Sequence, residues 1–342
     1  MINTNKELPL VSICIPTYNG ANYIEESLNS ALNQTYKNIE IIICDDKSSD
    51  NTIAICEAYA KKHPNIKVFK NPENLGLVKN WINVIEKASS NWIKFLFQDD
   101  IFENNCVEIM MNAALKHNVN FVFCNREYFF DENINQKLQS FYTKIEKTDS
   151  IFPHNTLITP EQAPKIIGKK LFNNCIGEPP CYLFNKSIIN ESDFPLKYKQ
   201  IIDYVFVLNI ISKNSFVFIK DSLVKFRVHL SSESMTTTVN KDAFDKLIYV
   251  KYFERLLLCY DLIHNPTFKL FKENTPLKDI EQIRDWTTLK SFKRLDYKKA
   301  KDFYTKQSIK DFIINKNTKN YNRLKYKLFK FKTKSLRHIY KV

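Results

Sequence analysis

The run Val11-Ser12-Ile13-Cys14-Ile15, closed by Pro16-Thr17-Tyr18-Asn19-Gly20, decides the fold. A short β-branched run bounded by proline and glycine reads as a buried strand. Four more such runs follow at Ile39–Cys44, Ile66–Phe69, Trp92–Phe97 and Asn120–Cys124. Between them lie amphipathic segments near residues 21–33, 50–62, 77–88 and 103–117, the second opened by Ser49 or Asp50 as N-cap. This alternation predicts an α/β protein with a mostly parallel, doubly wound sheet. Residues 126–175 read as irregular and polar, after which strand-like patterning resumes at 179–184 and 215–219 around a helix near 201–213.

In such a sheet ligands gather at the carboxyl ends of the strands. The segments there are Pro16–Gly20, Asp45–Asp50, Asn71–Gly76 and Gln98–Asp100, so Asp45, Asp46, Asp99 and Asp100 reach one edge. Close carboxylates repel unless a cation or hydrogen-bond donors compensate. Oxygen ligands suit Mg²⁺ or Mn²⁺, which also bind phosphate oxygens. The chain has only four glycines and neither a G-x-x-x-x-G-K-[ST] nor a G-x-G-x-x-G motif. A phosphorylated ligand is therefore expected to be held by a metal and side chains rather than by a glycine-rich loop.

Val11–Asn19, Asp45–Asp50, Asn74-Leu75-Gly76 and Phe97-Gln98-Asp99-Asp100 occur in an order and spacing that resembles family 2 glycosyltransferases of the GT-A fold. The likeness covers residues 9–240 or so. It implies a Rossmann-like GT-A domain over residues 1–240, with a nucleotide-sugar half (1–125) and an acceptor half (126–240). It also implies metal-dependent, inverting transfer from a UDP-sugar to a glycan or lipid-linked saccharide acceptor. Gln98-Asp99-Asp100 matches the family's DXD-type signature, which implies that Asp100 binds the metal while Asp99 contacts the ribose or supports the metal. By the same likeness Pro16, Thr17, Tyr18, Asn19, Asn74 and Gln98 belong to the nucleotide-sugar site. Asp46, with Asp45, faces the base, and Lys79 or Asn80 lies near the donor.

Inversion needs a base for the acceptor hydroxyl. Asp203 is the first choice, being the lone acid that opens an otherwise apolar helix, and Glu178 in Gly177-Glu178-Pro179-Pro180 is the second. The segment from Phe226 resembles the family's R-x-H stretch, which implies Arg227 as a phosphate partner and His229 as a metal or diphosphate ligand. Each residue has a plainer reading: helix caps for the acids, a satisfied structural side chain for the histidine. A catalytically inactive sugar-nucleotide or polysaccharide-binding protein of the same fold is the rival for the whole chain.

The net charge of +14 lies in residues 241–342, where 26 Lys/Arg face 11 Asp/Glu, and residues 316–342 hold ten Lys/Arg and no acid. This helical basic region reads as a solvated surface or as a contact with anionic membrane. Nucleic acid is not expected as a partner, because it would leave the carboxylate cluster unexplained. Eight scattered cysteines, without a C-x-x-C pair, point to a reducing cytosolic compartment. Neither a leader nor a membrane span is indicated, so a cytoplasmic protein, peripheral on the inner face of the membrane if the tail docks there, is expected.

Overall fold

The computed structural model describes residues 8–143, 148–168, 174–231, 254–255, 257–258, 261–262 and 265–275. Most of the basic region 241–342, and all of 316–342, lies outside the described residues.

The chain opens with β1 (Val11–Thr17), α1 (Ile24–Leu32), β2 (Ile39–Asp45), α2 (Thr52–Lys62), β3 (Ile66–Lys70), α3 (Leu77–Lys87) and β4 (Trp92–Phe95). It continues through β5 (Ile101–Phe102), α4 (Cys106–His117), β6 (Phe121–Phe130), α5 (Gln136–Thr143), β7 (Leu157–Ile158) and α6 (Ala163–Ile167). Then come β8 (Tyr182–Asn185), α7 (Ile202–Ile211) and β9 (Phe216–Val228).

The nine strands of the described residues form one sheet in the order β3-β2-β1-β4-β8-β6-β9-β5, with β7 on β9. The β3-β2-β1-β4 block is parallel throughout, β8 runs antiparallel to both β4 and β6, and β6 pairs in parallel with β9. The expected mostly parallel α/β sheet is thus present. Because β2 and β4 flank β1 on opposite sides, the chain reverses its winding at β1/β4, the place beyond the strand ends where open sheets of this kind form a ligand crevice. Every residue of β1 is buried, as a central parallel strand covered on both faces requires. Helix α7 is buried along nine of its ten residues, which explains its lack of a polar stripe. Its Phe206 packs on Trp81, Phe184 and Phe194.

Three boundaries differ from the sequence reading. β4 stops at Phe95, although Leu96 N–H still bonds Cys14 O at 3.0 Å, so the Gln98–Asp100 segment is a turn. β6 runs on to Phe130 instead of ending at Cys124, because a register shift at Asn125 and Arg126 interrupts its alternation without ending its pairing with β9. β9 likewise continues to Val228 past its exposed Lys220-Asp221-Ser222. The region read as irregular therefore begins with a strand and a helix. Ahead of α2, Asn51 holds the N-cap position, while Asp50 Oδ1 accepts the Thr52 N–H at 3.0 Å.

Among the described residues no helix is long and apolar enough to cross a membrane.

Candidate active site

The ends of β1 and β4 are tied together by one amide. Gln98 Oε1 accepts the Tyr18 N–H at 2.8 Å and Gln98 Nε2 donates to Tyr18 O at 3.0 Å, leaving the Tyr18 ring half exposed at the crevice. Asn19 follows with φ of 50°, a left-handed conformation that asparagine tolerates. Its N–H donates to Ser48 Oγ at 2.8 Å, and its Oδ1 accepts the Ser49 N–H at 2.8 Å. The loop after β1 is thereby zipped to the loop after β2, and Pro16, the penultimate residue of β1, is buried behind it.

Gly20 completes this contact, since a Cβ there would lie 2.4 Å from Gln98 Oε1. Gly20→Ala is expected to displace the Gln98 amide and to cost about 1–3 kcal/mol of stability. Placing it in a Gln98→Ala background should cancel most of that loss, as read by urea unfolding of the two single variants and the double. A fully stable Gly20→Ala single variant would contradict this close packing.

Both carboxylates at the end of β2 are committed inward. Asp45 accepts the Ser48 N–H at 2.9 Å, the Ser48 hydroxyl at 2.5 Å and the Thr17 hydroxyl at 3.2 Å. Asp46 accepts Asn71 Nδ2 at 2.9 Å, the Leu75 N–H at 2.7 Å and the Gly76 N–H at 2.9 Å. Asn74 Nδ2 donates to Asp46 O at 3.2 Å. Asp46 thus fixes the Asn74-Leu75-Gly76 loop against the end of β2. Asn80 is buried in the same network, donating to Cys44 O at 2.9 Å and accepting from Asn71 at 3.0 Å. Lys79, in the first turn of α3, is exposed.

The turn after β4 carries the second acidic pair. Asp99 Oδ2 lies 2.9 Å from His229 Nε2, and His229 Nδ1 lies 2.7 Å from Ser231 Oγ. Asp100 is buried; its Oδ1 accepts the Arg227 N–H at 3.0 Å, whereas Oδ2 is buried with no hydrogen-bond partner. Burial, then the neighbouring Asp99 charge, push the Asp100 carboxyl well above the usual carboxylate range, against the Arg227 N–H. Asp99, Asp100, Arg227 and His229 therefore meet across more than 120 residues of sequence.

The Arg227 guanidinium is turned to protein groups. It donates to Asp99 O at 3.1 Å, to Glu26 at 2.7 Å and to Asp131 at 3.3 Å, sandwiched between the rings of Tyr23 and Phe129. Tyr23 OH donates to Asp131 at 2.7 Å, and its ring lies 4.3 Å from that of His229. Glu26, Tyr23 and Asp131 escaped the sequence reading, since nothing local marks them as partners of a residue so distant in sequence, 201 positions from Glu26 and 96 from Asp131.

The remaining two candidates, Glu178 and Asp203, lie in the part of the chain that follows β6. Glu178 forms an ion pair with the buried Arg126, 2.5 Å to Nε, while that N–H donates to Tyr128 OH at 3.0 Å. Asp203, in the first turn of α7, accepts Asn174 Nδ2 at 3.0 Å, and Asn174 Oδ1 accepts the Gly177 N–H at 3.1 Å. Asn174 thus joins Asp203 to the loop that carries Glu178. Arg126 and Asn174 were missed, being ordinary polar residues in a stretch read as irregular.

Asp99, Asp100 and His229 are of the residue types that ligate hard divalent ions. An orphaned, buried Asp100 oxygen is costly unless a cation meets it, and the adjacent residue Asp99 is paired with His229. Two carboxylates and an imidazole suit Mn²⁺ or Mg²⁺. Among the described residues no three Asp, Glu, His or Cys side chains are grouped so as to hold a metal ion together.

Comparisons with known proteins converge. The family described as Glycosyl transferase family 2 matches residues 12–191. The Escherichia coli protein named UDP-Glc:alpha-D-GlcNAc-diphosphoundecaprenol beta-1,3-glucosyltransferase WfgD is 29% identical over 234 residues, 68% of this chain and 82% of that one. Residues 1–349 of S. aureus TarS, solved with UDP-GlcNAc, align with a TM-score of 0.53 at 18% identity, over 85% of this chain and 82% of that one. Mannosyltransferase PcManGT of Pyrobaculum calidifontis, solved with GDP-Man and Mn²⁺, aligns with a TM-score of 0.52 at 16% identity, over 92% and 82%. At those identities the two structures speak for the fold.

Proposed function

The chain belongs to glycosyl transferase family 2 and is a glycosyltransferase; on that premise we propose that it moves a sugar from a UDP-sugar to a saccharide or lipid-linked acceptor, with a divalent ion at Asp100 and inversion at the anomeric carbon. The observation that carries this reading is the buried, partnerless Asp100 oxygen beside the Asp99–His229 pair at the β1/β4 crevice. The uridine donor is supported by the name of the E. coli relative, which specifies UDP-Glc and a lipid-diphosphate GlcNAc acceptor. A lipid-linked acceptor also accords with the basic stretch 316–342, which would rest on anionic headgroups.

In this scheme Pro16, Thr17, Tyr18 and Asn19 line the nucleoside pocket with Asn74, and Gln98 sets the place of Tyr18. Asp45 and Asp46 shape the base site, and Lys79 and Asn80 stand at the donor side. Asp100, with Asp99 and His229, would hold the ion, which when bound supplies Lewis-acid neutralisation of the leaving diphosphate. Arg227 reaches the diphosphate only by leaving Glu26 and Asp131, so its present contacts favour a role in aligning Asp99 and Asp100. The acceptor oxygen attacks the anomeric carbon while the bond to the diphosphate oxygen breaks, its electron pair leaving with UDP. The hydroxyl proton passes to Asp203. Glu178, held by Arg126, binds a neighbouring acceptor hydroxyl.

A panel of UDP-, GDP- and dTDP-sugars, each with Mn²⁺ and with EDTA, tests the donor and metal assignments together. A ligand that binds only the folded state raises the melting temperature, and a UDP-sugar should do so only with Mn²⁺. Equal stabilisation in EDTA would remove the metal, and stabilisation by a GDP-sugar alone would replace the base.

A further inference from the structure

Helix α7 opens without a side-chain cap of its own, because its N-cap residue is the apolar Ile201. The turn before it presents three backbone N–H groups in succession, and one carboxylate takes all three. Glu254 accepts from Lys199 N–H at 2.5 Å through Oε1, and from Gln200 and Ile201 N–H at 2.8 and 3.0 Å through Oε2. Glu254 is 0% exposed, so these charge-assisted bonds form away from competing water. The negative charge also sits at the helix end that favours it. A second acid from the same part of the chain, Asp261, holds the preceding residues: it accepts Tyr198 OH at 2.6 Å and Lys197 Nζ at 2.7 Å.

Asp203 lies two residues beyond this turn, and its carboxylate is steadied from the other side by Asn174. Its backbone position is therefore set by Glu254 and its carboxylate by the loop that carries Glu178. We propose that Glu254 is a positioning residue for the transfer reaction. By gathering the N–H groups of residues 199–201 it fixes the first turn of α7, and with it the group that takes the acceptor's proton. A segment far beyond residues 12–191, the part matched by the family, thus completes the active site. This inference rests on the reading of Asp203 as the base.

The test is steady-state kinetics on the full chain. In Glu254→Ala, kcat should fall by about 100-fold, the size of loss that a displacement of one ångström produces. The donor KM should stay within about twofold of wild type, because the donor pocket lies on other loops. Glu254→Gln keeps an acceptor oxygen for part of the turn and should recover kcat by about tenfold over Glu254→Ala. Asp261→Asn loosens the same stretch from its other anchor, so it carries the question should Glu254→Ala fail to fold; its kcat should fall with the donor KM unchanged. Folded variants with wild-type kcat, or with kcat and donor KM worsening in step, would overturn the proposal. Asp203→Asn is measured beside them. If it keeps full turnover, the base assignment fails; if it loses turnover while Glu254→Ala and Asp261→Asn keep theirs, the positioning role alone fails.

Discussion

Asp100→Ala should abolish the metal-dependent part of donor binding and lower kcat/KM by about 1,000-fold or more, since the Lewis-acid contribution of a bound ion is several kcal/mol and each 1.36 kcal/mol is a factor of ten. The reason lies in the position of the carboxylate. One oxygen is engaged by the Arg227 N–H and the other is buried with nothing to meet it. A charge held there, with Asp99 next to it, is unfavourable until a cation arrives. The same argument gives an opposite sign for stability. Asp100→Asn keeps an acceptor for the Arg227 N–H and removes the buried charge, so without metal it should unfold no more easily than wild type. Titration calorimetry of a UDP-sugar with and without Mn²⁺ reads the first effect, and urea unfolding reads the second. Equal donor affinity in wild type and Asp100→Ala would take Asp100 out of the metal site.

Asp203→Asn should leave donor affinity within about twofold of wild type and reduce kcat by about 10²–10⁴-fold, the range for loss of a general base. The substitution is isosteric, and an amide oxygen can still accept from Asn174, so the helix start and the loop around Gly177 keep their contacts. What is lost is the capacity to take a proton. Glu178→Gln serves as the comparison: it unbalances the buried Arg126, and a larger fall in kcat there than in Asp203→Asn would transfer the base to Glu178. With wild-type protein and an α-linked UDP-sugar, the product read by NMR should be a β-glycoside. An α-glycoside would refute inversion.

The part of the chain from β1 to β4 was legible because its signals are local. Each strand of the β3-β2-β1-β4 block is a short apolar run ended by turn residues, and the acids that follow the runs fall at one edge by topology alone. Two kinds of information were hidden. A bulge at Asn125 and Arg126 broke the period-two alternation of β6, so a continuous strand looked like a loop. The partners of the site residues were also invisible, since Arg227 with Glu26, Glu254 with Lys199 and Asn174 with Asp203 are pairings across 201, 55 and 29 positions. Residue types at a strand end can be read from a sequence, but not which of their atoms are already engaged. Asp46 illustrates this: chosen as a contact for the base, it already receives three hydrogen bonds from its own protein.

The antiparallel strand β8 joins β4 to β6 by backbone hydrogen bonds on both its edges. The strands on either side of β8 consequently belong to one hydrogen-bonded sheet. Under the proposed reaction, exchanging the strand-end loops between relatives with β8 left intact should alter acceptor choice while leaving this shared sheet in place.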